Sequence, residues 1–200
     1  MIRISTCIVI ITLVFLTTER DVAAGDKPGA FSPYVDSNGA MNLPAEFRSA
    51  WVHLGTWVLT STLATGPNPG AASPRTGIHS VYAKSESLKS YRQFGKWPDG
   101  AVVVMEVREL KWDDLPTGHV IEEGEPLEWF VMVKDAKGRF PGNPNWGNGW
   151  GWALFKPAAP NKNVSTNYRN DCLSCHETAK ETDGVFIQGY PLLRKEKTMK

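Results

Sequence analysis

Cys172-Leu173-Ser174-Cys175-His176 is the stretch whose reading decides the rest of this chain. Two thiols and an imidazole follow one another in the order C-x-x-C-H, the attachment pattern of a c-type haem. Each thiol can add its S–H across one haem vinyl group to form a thioether. The adjacent imidazole then becomes the proximal ligand of the iron. A zinc site would need further Cys or His ligands, and the other cysteine, Cys7, lies in the N-terminal leader. A redox-active C-x-x-C expects a βαβ context, whereas this motif follows a polar loop near the C-terminus.

The N-terminus agrees with that reading. Residues 1–24 have the form of a secretory signal peptide: Arg3, an apolar run from Cys7 to Leu16, and small residues at Val22-Ala23-Ala24. The run is too short to span a bilayer. Cleavage after Ala24 removes Cys7 and leaves two cysteines, both in the haem motif. Bacterial c-type haem is attached outside the cytoplasm, so the expected location is the periplasm, where free thiols are not kept.

The remainder is long enough for one domain with a real core. A formal charge of +1 and the lack of a Lys/Arg block argue against a nucleic-acid partner. Eight Trp are a heavy load. They suit an aromatic core, and some can wall a porphyrin.

Residues 25–42 are rich in Gly, Pro, Ser and Asn and read as a flexible N-terminal arm. Pro44 with Phe47 and Trp51 marks a short helix. Trp51 to Thr60 and Ile78 to Tyr82 read as strands, separated by a Gly/Pro-rich loop from Gly66 to Gly77. Ser85 opens a helix with Leu88, Tyr91 and Phe94 on one face, ended by Gly95. Ala101 to Leu110 is the clearest strand: Val103, Met105 and Val107 alternate with Val102, Val104 and Glu106. Trp129 to Lys134 follows, with Phe130 and Met132 sharing a face. After a hairpin-like turn at Asp135-Ala136-Lys137-Gly138 comes the last strand, Trp150 to Lys156. The expected fold is α+β with β dominant, an antiparallel sheet with a few short helices. Four-helix-bundle cytochromes are excluded, because no heptad pattern runs through the chain.

The chain resembles the cytochrome P460 family, which includes the β-sheet cytochromes c′ (cytochrome c′-β). The matching stretches are Leu43-Pro44 with Trp51-Val52-His53-Leu54-Gly55-Thr56, Val81-Tyr82, and Gly95-Lys96-Trp97-Pro98-Asp99-Gly100. Val133-Lys134-Asp135-Ala136-Lys137, Trp152-Ala153-Leu154-Phe155 and the haem motif continue the series. Asp183-Gly184-Val185-Phe186 through Tyr190-Pro191-Leu192-Leu193-Arg194 complete it. The resemblance covers residues 43–194 and leaves 195–200 as a tail. It implies an exported homodimer with one haem c on an antiparallel sheet, five-coordinate through His176.

In this family, hydroxylamine-oxidising members carry a Lys cross-linked to the haem. Counted from Asp99-Gly100, its place falls on Met105. They also resemble one another in a distal acidic residue, whose place, counted back from Val133, falls on Phe130. A thioether has no amine to cross-link, and a phenyl ring cannot relay protons. Both departures point to the branch with aromatic-capped pockets that bind NO and CO. Met105 can be a core filler beside the porphyrin, a sixth iron ligand or a haem-linked thioether. Phe130, Met132 and His79 are the other distal candidates, His79 also as a propionate contact or a structural histidine. Arg139 and Arg194 are the propionate candidates. Lys84, Lys89 and Lys96 read as solvated, and His53 and His119 as structural or surface residues.

Three functions remain open on this reading. The first is binding or buffering of NO or CO at an open iron. The second is oxidation of hydroxylamine or an NO-derived substrate. The third is His/Met-ligated electron transfer with a periplasmic redox partner.

Overall fold

A computed structural model describes residues 31–59 and 76–194. The leader 1–24, most of the loop from Gly66 to Gly77 and the tail 195–200 lie outside them. The described chain is built on a six-stranded antiparallel sheet. Its strands are β1 (Val52–Leu59), β2 (Gly77–Ala83), β3 (Val102–Leu115), β4 (Gly118–Lys134), β5 (Trp146–Gly147) and β6 (Trp150–Phe155). They lie side by side in the order β1-β2-β3-β4-β6-β5. A two-residue turn joins β3 to β4, as an antiparallel pair allows, and the β-dominant α+β expectation holds.

Two helices punctuate the sheet, α1 (Phe47–Ala50) and α2 (Ser85–Phe94). Gly95 ends α2 at φ 70°, a left-handed closure that favours glycine. Leu88 and Tyr91 pack inward as the spacing predicts. Phe94, the last residue of the helix before its Gly95 cap, does not: it is 69% exposed.

Side chains alternate across the sheet and produce two cores. Val81, Val103 and Met132 face one of them, with Trp150 and Trp152 from β6. The C-terminal segment covers this face through Tyr168, Val185, Tyr190 and Leu193. Val102, Val104, Val131, Val133 and Phe155 face the other. Residues 31–51 close that side. The stretch 31–42 is therefore not a loose arm: Met41 is buried, Val35 bridges to Met41, and Phe31 packs on Phe140 and Trp146. Phe31, Tyr34, Val35 and Met41 all join the second core.

The strands β3 and β4 run much further than their apolar centres. Their outer halves pair from Leu110↔Glu123 to Leu115↔Gly118 and form a ribbon. Trp112 stands on it 72% exposed. Charged residues on both faces hide the ribbon from any alternation of apolar and polar residues, so the strand ends are read too short from sequence. The turn at residues 135–138 likewise opens a longer excursion through β5 before the chain returns as β6 beside β4.

The C-terminal segment is locked to β1 by a close backbone approach. A side chain at Gly55 would put its Cβ 2.3 Å from the Gly189 carbonyl oxygen. Gly55→Ala is thus expected to destabilise the fold by about 1–3 kcal/mol, as overpacking does. Thermal unfolding followed by circular dichroism checks this; an unchanged midpoint would mean that the segment can retreat without loss.

Candidate haem site

The motif Cys172-Leu173-Ser174-Cys175-His176 lies within a helical stretch that changes pitch as it goes. It begins as a π-helix (Arg169–Leu173), passes through one α-turn, α3 (Ser174–His176), and tightens into a 3-10 helix (Glu177–Thr182). Asp171 anchors its start. One carboxylate oxygen accepts from the Ser165 hydroxyl at 2.9 Å and from the Thr166 and Asn167 N–H groups at 3.0 and 3.2 Å. Orphan donors at a chain turn are satisfied in this way, as at a helix cap.

His176 is held from two directions. Its Nδ1 lies 2.7 Å from the Gly184 carbonyl oxygen. A carbonyl can only accept, so Nδ1 carries the proton and Nε2 keeps its lone pair. Trp152 and Phe186 flank the ring, with centroids 4.9 and 5.3 Å away. Burial holds the imidazole below its ordinary pKa, against the Gly184 bond, which raises it. A neutral imidazole with one nitrogen committed to a carbonyl and the other open is what an iron ligand requires.

His176, Cys172 and Cys175 border a cavity of about 300 Å³ between the C-terminal segment and the sheet. Met105, Phe130, Met132 and His79 border the same cavity. Met105 and Phe130 are direct cross-strand partners on β3 and β4, which explains how two residues 25 positions apart form one wall. His79 comes from β2, is buried, and stacks on Trp57 at 5.6 Å. Tyr190 packs against Trp57 at 5.5 Å, and burial pushes its phenol far above the usual value, so it stays neutral. The structure therefore collects the seven haem-motif and distal-pocket candidates around one mostly apolar space.

The two arginines are placed elsewhere. Arg139 pairs with Asp135 at 2.7 Å and with Asp99 at 3.0 Å, and its guanidinium lies over the Phe31 ring. These partners belong to the turn region beside the second core, so Arg139 is already committed to two carboxylates and does not border the cavity. The Asp99 carboxyl is held below its usual range by the Arg139 hydrogen bond, with burial opposing. Arg194 is exposed beyond the short helix Pro191–Leu193 and is also absent from the cavity wall. An arginine's charge is legible in sequence, but its partner depends on tertiary placement.

Sequence reasoning passed over Trp57, Tyr190 and the Gly184 carbonyl. The first two look like generic aromatics. The third is a backbone atom, signalled only by the Asp183-Gly184 pair, a common signature of positive φ. Both residues are left-handed, at φ 57° and 80°.

The donor set fits a haem better than the alternatives. Neither cysteine is in a disulfide. Among the described residues no group of three or more His, Cys, Asp or Glu side chains is arranged to hold a metal ion by itself. The strands are antiparallel throughout, so the βαβ surroundings of a redox-active C-x-x-C are missing from the described residues. An apolar slot with an imidazole at one wall and two thiols at its rim suits a porphyrin with iron at its centre.

No curated protein matches the chain. The family model described as Cytochrome P460 matches residues 44–187, most of the sequence. That span holds the six strands and the helical stretch with Cys172, Cys175 and His176. On this match the chain belongs to the cytochrome P460 family, and a haem cofactor is implied.

Proposed function

We propose that this protein is an exported mono-haem c-type cytochrome that binds NO or CO at an open distal site. Cys172 and Cys175 would hold the haem covalently, and His176 would ligate its iron. When bound, the haem supplies an iron with one position free for a small neutral ligand. The chain supplies everything around it. Gly184 fixes the tautomer and direction of His176. Met105, Phe130 and Met132 exclude water and anions from the opposite wall.

The observation that carries this reading is the Met105–Phe130 cross-strand pair on the cavity wall. Oxidation of hydroxylamine releases protons and needs a group to take them. Met105 and Phe130 offer none, and the imidazole that shares their cavity, His79, is buried and stacked on Trp57. Buffering or removal of NO in the periplasm is the role that an open apolar pocket serves best. A homodimer and a periplasmic electron donor for the iron complete the proposal.

The test is the optical spectrum of the purified holoprotein, ferric and ferrous, with and without NO. A high-spin ferrous haem with an ordinary Soret band that takes up NO is expected. A strongly red-shifted ferrous Soret band would instead mean a cross-linked haem and transfer the assignment to hydroxylamine oxidation. A low-spin spectrum indifferent to NO would leave electron transfer with Met105 as ligand.

Met105 can be tested separately. As a filler it should be replaceable: Met105→Ala is expected to leave the high-spin state unchanged and to speed CO association by opening the wall. Conversion from low to high spin in this variant would identify Met105 as a ligand.

A further inference from the structure

The Gly184 carbonyl that receives the His176 proton is itself held by a buried charge pair from the far end of the sheet. Lys134 is the last residue of β4, and its side chain is nearly buried. Its Nζ lies 2.7 Å from one carboxylate oxygen of Asp183. The other oxygen accepts the Trp97 backbone N–H at 2.9 Å. The Asp183 carbonyl accepts the Trp150 indole N–H, also at 2.9 Å. Lys134 Nζ also sits over the Trp150 ring at 4.9 Å, so two of the three anchors contact each other.

This arrangement converges on one short turn. Local bonds tie the turn to the preceding helix: Gly184 N–H to the Ala179 carbonyl, and the Thr182 hydroxyl to the carbonyls of Ala179 and Val185. Lys134, Trp97 and Trp150 tie it to the sheet. Asp183 adopts a left-handed conformation that non-glycine residues seldom hold without support. The next residue presents its carbonyl to His176.

We propose that the Lys134–Asp183 pair is a positioning clamp for the proximal ligand: it fixes the 183–184 turn so that the Gly184 carbonyl stays aligned with His176 Nδ1–H. This rests on the assignment of His176 as iron ligand. A well-aligned acceptor raises the basicity of the imidazole, which strengthens its bond to iron and favours the ferric state. The clamp thus lets residues of β4 and β6 set the electronic character of an iron that they do not touch.

The test is resonance Raman spectroscopy of the ferrous holoprotein, read at the iron–imidazole stretch, with the reduction potential as a second readout. Asp183→Asn removes the charge and one acceptor at nearly constant shape. Lys134→Met removes the cation without altering the turn residue. Both are expected to lower and broaden the stretch and to raise the potential. Asp99→Asn breaks a different ion pair of the same region and is expected to leave both unchanged. If Asp183→Asn gives no folded holoprotein, Lys134→Met decides. A stretch that is present in the parent protein and unmoved in Lys134→Met overturns the clamp, even if the variant is less stable. A high-spin ferrous parent protein with no iron–imidazole stretch overturns the ligand assignment instead; in a low-spin parent the reduction potential alone is read, and a potential unmoved in Lys134→Met overturns the clamp.

Discussion

Replacing Cys172 and Cys175 together by alanine is expected to abolish haem retention on a denaturing gel. The parent protein should stay haem-stained after boiling in detergent, because two thioethers survive unfolding. In the double variant nothing but His176 and the apolar wall would hold the porphyrin, and both are lost when the chain unfolds. Each single variant keeps one thioether and should keep the stain, with a red-shifted visible band from the unreacted vinyl group. His176→Ala separates attachment from ligation: the stain persists while the ferrous spectrum changes. Intact mass gives a second reading, since the double variant should lack one haem's mass. Haem-stained double variant would refute covalent attachment through these thiols. The structure gives a reason to expect reaction at both. Cys172 is half-buried and Cys175 exposed, they sit about one helical turn apart, and both border the same cavity.

The legible parts of this protein are those where chemistry or periodicity is local. The C-x-x-C-H run names its own cofactor. The alternation from Val102 to Val107 assigns each residue to a face, and the two cores divide these side chains accordingly. Met105 and Phe130 could be placed on neighbouring strands by counting from two short blocks, and they share one cavity wall, because strands keep their register when no residue is inserted. What was not legible depends on distant partners. The polar ribbon of β3 and β4 has no apolar face to announce it. Residues 31–42 have a loop's composition, yet Phe31, Tyr34 and Met41 each find an aromatic or apolar neighbour. Arg139 is drawn to Asp135 four residues before it and to Asp99, 40 residues away, which no spacing rule connects to it. The Asp183–Lys134 contact joins residues 49 apart, and only the fold brings them together.

Glu106→Ala is expected to destabilise the fold by about 1–3 kcal/mol, the cost of leaving buried hydrogen-bonding groups without a partner. Glu106 is 1% exposed, yet it lies on the second face of β3, opposite the cavity. Three donors meet on its carboxylate: Arg48, Arg108 at 3.0 Å and the Trp129 indole N–H at 3.1 Å. Removing it leaves Arg48 and Arg108 with Glu123 as their remaining carboxylate and one indole N–H without its acceptor. Glu106→Gln should cost less, because the amide oxygen can keep one or two of the donors. Chemical denaturation of the three proteins checks the order: parent above Gln above Ala. The consequence reaches the haem side through register. Glu106 follows Met105 on β3, and its cross-strand partner Trp129 precedes Phe130 on β4. The Glu106–Trp129 pair therefore pins from behind the two strands whose front presents Met105 and Phe130. Loss of the pin should loosen the distal wall as well as the fold. In Glu106→Gln, stable enough to load with haem, CO should recombine with a broader spread of rates after flash photolysis. Identical recombination in parent and Gln variants would show that the wall is held by its own packing, with the buried carboxylate serving stability alone.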